Sequence, residues 1–226
     1  MTIFYLDQTI KEYNSFFLKR NIEIHGEDFF DKIHIKKSMN IDFFLKHKNL
    51  YYINSGSAMR HFIDVLGNRR SLNLFWKSDI IGFTTLFDEK SVEWETIALT
   101  DMELIVITHK NLLHDLNDGF QLVGKNFQYY TNIMYCSQQC LSTSGCERIN
   151  FSILSLAYYL GNTNGNYNYL PPYITHDIIS CLSAVTRSYV TRHLKKLITE
   201  NIISIENRKI CINNIEDLTA RTPSYQ

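Results

Sequence analysis

Residues 174–212 constrain the fold of this chain more than any other stretch. They read ITHDIISCLSAVTRSYVTRHLKKLITENIISIENRKICI, a pattern that predicts two short helices around a tight turn, followed by a small hairpin. This order of elements is typical of a winged helix-turn-helix, whose second helix enters the major groove of DNA. We therefore expect a DNA-binding unit in this part of the chain.

The second predicted helix has a defined start and two different faces. Thr186 is a good N-cap, because its hydroxyl can accept a hydrogen bond from an amide of the first turn. Val190, Leu194 and Leu197 form an apolar seam at spacings of four and three. The other face carries Arg187, Ser188, Thr191, Arg192 and Lys195. Four positive charges and no acid lie between Thr186 and Thr199, which indicates one buried face and one cationic face.

The composition is that of a folded protein without a strong overall charge. Hydrophobic residues make up 45% of the chain and charged residues 20%, as in an ordinary globular protein. The 23 Lys and Arg residues balance 23 Asp and Glu residues. Because the net charge is zero, affinity for DNA has to come from a local patch.

Neither a membrane segment nor a secretory signal is predicted. No apolar run approaches the ~18–20 residues that a bilayer span needs, and the N-terminus reaches Asp7 after only a short apolar stretch. All five cysteines lie in the second half of the chain, and an odd number without a signal favours free thiols over disulfides. We expect a cytoplasmic protein that makes no membrane contact.

The first half of the sequence favours β-structure. Over residues 34–107 it breaks into short apolar runs separated by turn residues, such as Gly56 and a Gly67-Asn68 pair between two strand-like runs. Short strands at this spacing, without long helices between them, predict an antiparallel barrel or sandwich. A short helical or mixed segment over about residues 1–20 is expected before it.

A long helix is predicted after this region. Phe120, Val123, Phe127, Tyr130 and Met134 follow one another at spacings of 3, 4, 3 and 4, which is an a/d heptad stripe. Such a stripe packs on its own domain or on a partner, and the spacing leaves both open.

Further helix signals lie between this helix and the winged unit. Residues 143–145, Thr-Ser-Gly, break the long helix, and a second helix is expected from Glu147 to a C-cap at Gly161. A polar loop with an Asn-Gly turn signal follows and is closed by Pro171-Pro172.

The layout as a whole resembles the Crp/Fnr family of bacterial transcription regulators over nearly the full length. The resemblance is carried by YYINSGSAMR, by LGNRRSLNLFWKSDIIGFTTLF and, most specifically, by ITHDIISCLSAVTRSYVTRHLKKL. It implies an α+β fold in three parts. These are an N-terminal antiparallel β-barrel of the jelly-roll, cyclic-nucleotide-binding-like kind (1–116), a dimerisation helix (117–144) and a C-terminal winged helix-turn-helix (145–226).

The resemblance also implies roles for individual residues. The predicted DNA-binding set is Thr175, Thr186, Arg187, Ser188, Tyr189, Arg192 and Lys195. Of these, Arg187, Ser188 and Arg192 occupy the base-reading positions, although the family usually has an acid where Ser188 stands. Thr175, Ser188, Tyr189 and Lys195 are expected to hold phosphates, which fixes register without reading sequence. The alternative for the two arginines is a solvated basic face.

A homodimer is implied as well. Two copies would pair through the long helix and read a palindromic site whose half-sites lie about one helical turn apart. RNA polymerase is an expected partner if the protein is an activator, whereas repression needs only occupancy of the site.

The expected effector differs from that of family members that bind cyclic nucleotides. Those members carry a Gly-Glu pair followed by an Arg, whereas here the segment reads GFTTLFDEKSVEWETIAL, with Phe83 in place of the acid and no Arg. A buried phosphodiester without a positive partner is costly, which disfavours cyclic AMP. The absence of Cys from the N-terminal half disfavours an iron–sulfur centre.

Within the family, the sequence is similar to the positive regulatory factor A branch, which responds to a thiol peptide bound between domains. Glutathione is then a candidate effector. The residues that would line its site are Phe75, Trp76, Lys77, Tyr129 and Tyr130. The alternative is that these aromatic residues are ordinary core.

Catalysis is not expected from the sequence. His61 stands alone in its predicted strand, and no His-x-His pair, Gly-rich phosphate loop, Ser-His-Asp arrangement or carboxylate pair stands out. We expect no enzyme, no metal and no cofactor. The alternative to a regulator is a ligand-binding or protein-interaction module with a helix-turn-helix that no longer binds DNA. A constitutive regulator whose barrel is only a scaffold is a third possibility.

Overall fold

Two compact units make up the chain. The computed structural model describes residues 2–46, 48–65, 67, 69–83, 94–114, 116–160 and 169–222. One unit runs from residue 5 to residue 133, and the other comprises residues 134–226 with residues 1–4. Among the described residues, no helix is both long and apolar enough to cross a membrane.

The first unit is a β-structure flanked by helices. Helix α1 (Thr2–His25) comes before its strands, and helices α2 (His109–His114) and α3 (Leu116–Leu141) follow them, α3 continuing past residue 133. Between them lie strands β1 (Lys32–Ile35), β2 (Leu50–Ser55), β3 (Ser57–Ile63), β4 (Arg69–Trp76), β5 (Ile80–Ile81), β6 (Glu95–Ala98) and β7 (Met102–Ile107). They form two antiparallel sheets in the orders β1-β7-β2-β5 and β4-β3-β6.

The four-stranded sheet is buried on both faces. Alternate residues of a strand point to opposite sides, and in β2 Tyr51 and Ile53 join the cluster enclosed with the other sheet. Leu50 and Tyr52 join a second cluster, to which α1, α2 and α3 contribute Phe17, Leu112 and Leu122, among others. This double burial explains why the LYYIN run is continuously apolar instead of alternating.

Gly56 connects the two sheets at a position that only glycine fits. Its φ is +91°, and a Cβ there would lie 2.4 Å from the carbonyl oxygen of Asp101. Both the backbone conformation and the close approach therefore exclude a side chain. The turn lets β2 and β3 follow each other directly.

Helix α1 is longer than the predicted entry segment. It continues to His25, past the expected end near residue 20. Part of the reason lies in its packing: Asn14 and Asn126 of α3, each 1% exposed, bond each other through both amides, at 3.2 and 2.8 Å. The sequence indicated only a short helical or mixed segment here. The contacts that extend the helix join α1 to α3, more than 100 residues away in the chain, and local patterns do not reveal them.

The predicted heptad stripe on α3 divides between two faces. Val123 packs against the cluster shared with α1, and Tyr130 packs on the other core and donates from its hydroxyl to Ile80 O at 2.7 Å. Phe120, Phe127 and Met134 are exposed instead, at 81%, 70% and 64%. The sequence left open whether the stripe packs on its own domain or on a partner. Two of its residues pack within the unit and three remain exposed, because a 3–4 spacing spans an arc wide enough to meet two surfaces.

The second unit is the winged helix-turn-helix. It contains α4 (Gly145–Leu160), α5 (His176–Ser183), α6 (Arg187–Thr199), β8 (Ile203–Glu206), β9 (Lys209–Ile212) and α7 (Ile215–Ala220). Helix α4 begins at Gly145, two residues before the predicted start. The expected C-cap Gly161, the Asn-Gly turn after it and part of the Gly67-Asn68 turn lie outside the described residues. The two antiparallel sheets, the long helix and this unit confirm the predicted fold class.

Candidate nucleic-acid interface

Helix α5 is held at both ends by local hydrogen bonds. The hydroxyl of Thr175 accepts from the amide of Ile178 at 3.3 Å, so Thr175 is the N-cap. At the other end Ala184 adopts φ 50°, a left-handed conformation, and the next amide, that of Val185, donates to Ser180 O at 3.2 Å. This αL cap ends α5 and reverses the chain within three residues.

Helix α6 begins where the sequence predicts. The hydroxyl of Thr186 accepts from the amide of Tyr189 at 3.3 Å, which confirms the predicted N-cap. Val190, Leu194 and Leu197 are 0%, 1% and 0% exposed, and the predicted seam is confirmed as well. This burial fixes which face of α6 is turned outward.

His193 joins that seam, which the sequence did not indicate. It is 8% exposed, and its Nε2 lies 2.8 Å from Oδ1 of Asn150 in α4. The amide of Asn150 in turn donates to Arg221 O at 3.2 Å, just after α7. Burial is the main cause that lowers the pKa of His193, and the charge of Lys196 adds to it. The imidazole therefore favours its neutral form.

The outward face of α6 is basic. Arg187, Ser188, Arg192 and Lys195 are exposed, and Thr191 is half-buried. These five residues line an open depression of about 450 Å³. Their donors point away from the apolar seam, as required for contact with base edges and phosphates.

Two side chains of α5 border this face and were not predicted. Asp177 Oδ1 lies 3.3 Å from Nε of Arg187, and both side chains are more than half exposed. His176 Nδ1 lies 2.9 Å from Oγ1 of Thr191. Helix spacing alone could not reveal these pairs, because each joins residues of different helices.

Tyr189, like the N-cap Thr175, has contacts within the winged unit. The Tyr189 hydroxyl lies 3.2 Å from Sγ of Cys146, near the start of α4, and this hydrogen bond is the main cause that raises the pKa of Tyr189. The Arg192 guanidinium stands 5.3 Å from the centroid of the same ring. The Tyr189 ring thus lies beside the Arg192 guanidinium, and its predicted phosphate contact stays a prediction.

The wing is a tight hairpin. Strands β8 and β9 pair from Ile203↔Ile212 to Glu206↔Lys209, and both turn residues, Asn207 and Arg208, have positive φ, as a two-residue hairpin requires. Arg208 is exposed, whereas Lys209 Nζ lies 4.6 Å from the centroid of the Tyr169 ring. Arg208 is therefore the wing cation that remains turned to solvent.

The predicted ligand residues lie at different places in the first unit. Phe75 belongs to the enclosed core, whereas the ring of its neighbour Trp76 lies under Lys11 Nζ at 3.8 Å. Lys77 is exposed in the turn after β4. Tyr129 and Tyr130 contact each other with ring centroids 5.4 Å apart. Phe75 and Trp76 thus point to opposite sides of β4.

The metal-ligating residue types are scattered. Within the part of the chain that the structure describes, no group of three or more His, Cys, Asp or Glu side chains is placed to hold a metal ion. His61, isolated in the sequence, has one acidic partner, since its Nε2 lies 3.0 Å from Oε2 of Glu95. Cys146, Cys181 and Cys211 are not in disulfides, and the side chains of Cys136 and Cys140 lie outside the description.

Comparison by sequence found no relatives. No protein-family model matches the chain, and no curated protein matches it.

Comparison by structure found solved proteins of similar fold, among them a transcriptional regulator of the CRP/FNR family. FixK2 from Bradyrhizobium japonicum matches with a TM-score of 0.69 and 14% identity, over 87% of this chain and 99% of that chain. A CRP/FNR-family transcriptional regulator from Thermus thermophilus matches with a TM-score of 0.68 and 20% identity, over 87% of this chain and 100% of that chain. A cyclic nucleotide-binding domain containing protein from Listeria monocytogenes matches with a TM-score of 0.67 and 17% identity, over 92% of this chain and 98% of that chain. The chain therefore has the fold of Crp/Fnr-type regulators.

Proposed function

We propose that this chain is a sequence-specific DNA-binding transcription regulator of the Crp/Fnr type. The observation that carries the proposal is the outward face of α6, where Arg187, Arg192 and Lys195 are exposed while the opposite face is fully buried. In a helix-turn-helix this face enters the major groove. Arginine can donate two hydrogen bonds to the O6 and N7 acceptors of guanine, and lysine is suited to phosphate.

The proposed regulator acts as a homodimer paired through α3. Phe120, Phe127 and Met134 are exposed at intervals of seven residues, which is the repeat of a seam between two helices. The occupant we propose for this seam is a second copy of α3, since a two-fold axis brings the same residues together from both copies. Two copies of α6 would then read a palindromic site.

Selection of bound sequences from random duplexes tests the proposal. The expected result is an enriched palindrome whose half-sites are about 10–10.5 base pairs apart from centre to centre. Weak binding to all duplexes without enrichment would contradict it and would favour a ligand-binding or protein-interaction module. The proposal assigns the chain no catalytic step, and RNA polymerase is a partner only if the protein activates transcription.

Effector dependence is a separate part of the proposal. Phe83 and the lack of an arginine in the segment after it speak against cyclic AMP. The resemblance to the positive regulatory factor A branch supports glutathione as the effector. Repeating the selection with reduced glutathione, and separately with cyclic AMP, tests both, because only an effector changes the fraction of duplex bound.

A further inference from the structure

Tyr189 lies on α6 between the buried seam and the outward basic face. It is half-buried, one residue before Val190 of the seam and three residues before the exposed Arg192. Residues three apart are neighbours on a helix surface, and the Arg192 guanidinium stands 5.3 Å from the centroid of the Tyr189 ring. Tyr189 therefore adjoins a side chain that is proposed to read bases.

The same ring packs on the start of α4. A Cβ at Gly145 would lie 3.1 Å from Cε1 and 3.3 Å from Cζ of Tyr189, so the ring approaches the backbone there more closely than most side chains would allow. Sγ of the next residue, Cys146, lies 3.2 Å from the Tyr189 hydroxyl. Tyr189 is thus attached to a helix other than its own.

The start of α4 is itself fixed within the winged unit. Nε of Arg148 donates to the carbonyl oxygen of Ser183, the last residue of α5, at 2.8 Å. Nη1 of the same guanidinium donates to the carbonyl oxygen of Thr143, just before α4, at 2.6 Å. Arg148 therefore ties the first turn of α4 to the end of α5, and Tyr189 rests on a part of the unit that is held in place.

An arginine that reads a base benefits from such support. To meet O6 and N7 of guanine it must present two donors in one plane, and a long side chain loses rotamer freedom when it does so. An aromatic ring within about 6 Å attracts a guanidinium and so limits the positions that it takes before DNA arrives. Functional side chains are placed accurately when neighbouring groups that are themselves packed hold them.

We propose that Tyr189 is a positioning residue for base reading: anchored on Gly145 and Cys146, it holds Arg192 in the orientation that meets the major groove. The inference rests on the proposed function of α6. It gives Tyr189 a role that is exerted through Arg192, whereas a phosphate contact would be a role of its own. The two roles have different consequences for variants.

Tyr189→Leu tests whether the ring acts through Arg192. Affinities are measured for the operator selected with the parent chain and for a random duplex. We expect operator binding to weaken by about 4- to 25-fold, the product of about 2- to 5-fold each for the ring–guanidinium contact and for the hydroxyl bond. Binding to the random duplex should change little. In an Arg192→Ala background the same substitution should have almost no further effect, because the two side chains act as one.

Tyr189→Phe and Cys146→Ala test the anchor on α4. Each removes one partner of the same bond, so each should weaken operator binding by about 2- to 5-fold, and the double variant should lose no more than either single variant. Cys211→Ala is the matched control, at another half-buried thiol of the unit, whose Sγ lies 3.9 Å from Lys209 O in the wing. It should leave both affinities unchanged.

Circular dichroism shows which variants are folded. If Tyr189→Leu is not, Tyr189→Phe takes its place in the comparison with and without Arg192→Ala, with an expected loss of about 2- to 5-fold. The conservative change keeps the ring and removes only the hydroxyl.

Two results would overturn the proposal. One is an equal loss on operator and random duplex in Tyr189→Phe together with unchanged binding in Cys146→Ala, which is the pattern of a phosphate contact. The other is a loss in the Tyr189 variant that is just as large in the Arg192→Ala background. Both require a parent chain that selects an operator, so they count against this inference alone. A parent chain that selects none overturns the proposed function, and the inference with it.

Discussion

Asp177 Oδ1 of α5 lies 3.3 Å from Nε of Arg187 in α6, so a carboxylate stands at the edge of the face proposed to meet DNA. It holds the guanidinium in place and at the same time repels phosphates. Exposed ion pairs are worth little, and the carboxylate therefore competes only mildly with DNA for Arg187.

Asp177→Asn is expected to tighten binding to all duplexes by about 2- to 5-fold, the range that an exposed pair of up to ~1 kcal/mol allows. Titration of operator and random duplexes at one salt concentration measures it. Asp217→Asn, at a half-buried acid on α7 that pairs with Arg221, is the control and should change neither affinity. Weaker operator binding in Asp177→Asn would instead show that the carboxylate is needed to aim Arg187.

Arg192→Ala is expected to lower specific binding far more than non-specific binding. A good arginine–guanine pair discriminates against a wrong base by about 1–3 kcal/mol, whereas loss of a phosphate interaction affects all sequences alike. Affinities for the selected operator and for a random duplex are compared. Equal losses on the two duplexes would contradict base reading by Arg192.

Lys195→Ala is the companion variant on the same helix face. Lys195 is exposed beside Arg192, and we expect a uniform decrease of affinity with a salt slope that falls by about 1 for each phosphate that is no longer neutralised. The slope is read from binding at several salt concentrations. An unchanged slope would show that Lys195 does not contact a phosphate.

The winged unit could be predicted in detail because its signals are local. An N-cap at Thr186 and a seam at Val190 and Leu194 act within one or two helical turns. The small hairpin predicted after this helix is also a local signal. Each of these elements is where the sequence placed it.

The arrangement of the first unit depends on contacts between distant segments, which local sequence patterns do not show. Arg60 reads as one polar residue in a strand, and nothing nearby in the sequence shows that Thr96 and Phe75 enclose it. Val123 and Phe127 have the same apolar character, yet one packs on the barrel and the other is exposed. Which residues of a pattern are covered is decided by packing between elements, which periodicity does not encode.

Phe127→Asp is expected to dissociate the proposed dimer. Burying one phenylalanine side chain is worth about 1.5–3 kcal/mol, and each substitution counts twice in a symmetric pair. The variant should therefore be monomeric by analytical ultracentrifugation at concentrations where the parent chain is a dimer, and its operator affinity should fall.

Phe16→Asp is the matched control for the dimer. Phe16 is 60% exposed on α1, so the same change there tests the effect of an added acid at an exposed phenylalanine of another helix. It should leave the sedimentation coefficient unchanged. A dimer that survives in Phe127→Asp would show that the copies do not pair through this face of α3.

His193 should make the stability of the winged unit sensitive to mild acid. Its pKa is lowered from 6.5 mainly by burial, so the unfolded chain takes up this proton near pH 6.5 and the folded chain only at lower pH. More protons are then bound to the unfolded state, and the contribution of His193 to stability is full above that pH and is lost as the pH falls below it.

His193→Gln, which can still donate to Asn150 Oδ1, should lose less stability between neutral and mildly acidic pH. Thermal unfolding followed by circular dichroism measures the difference, with His176→Gln as the control at a less buried histidine of the same unit. Parallel pH profiles for the parent chain and His193→Gln would mean that this histidine is not the group responsible.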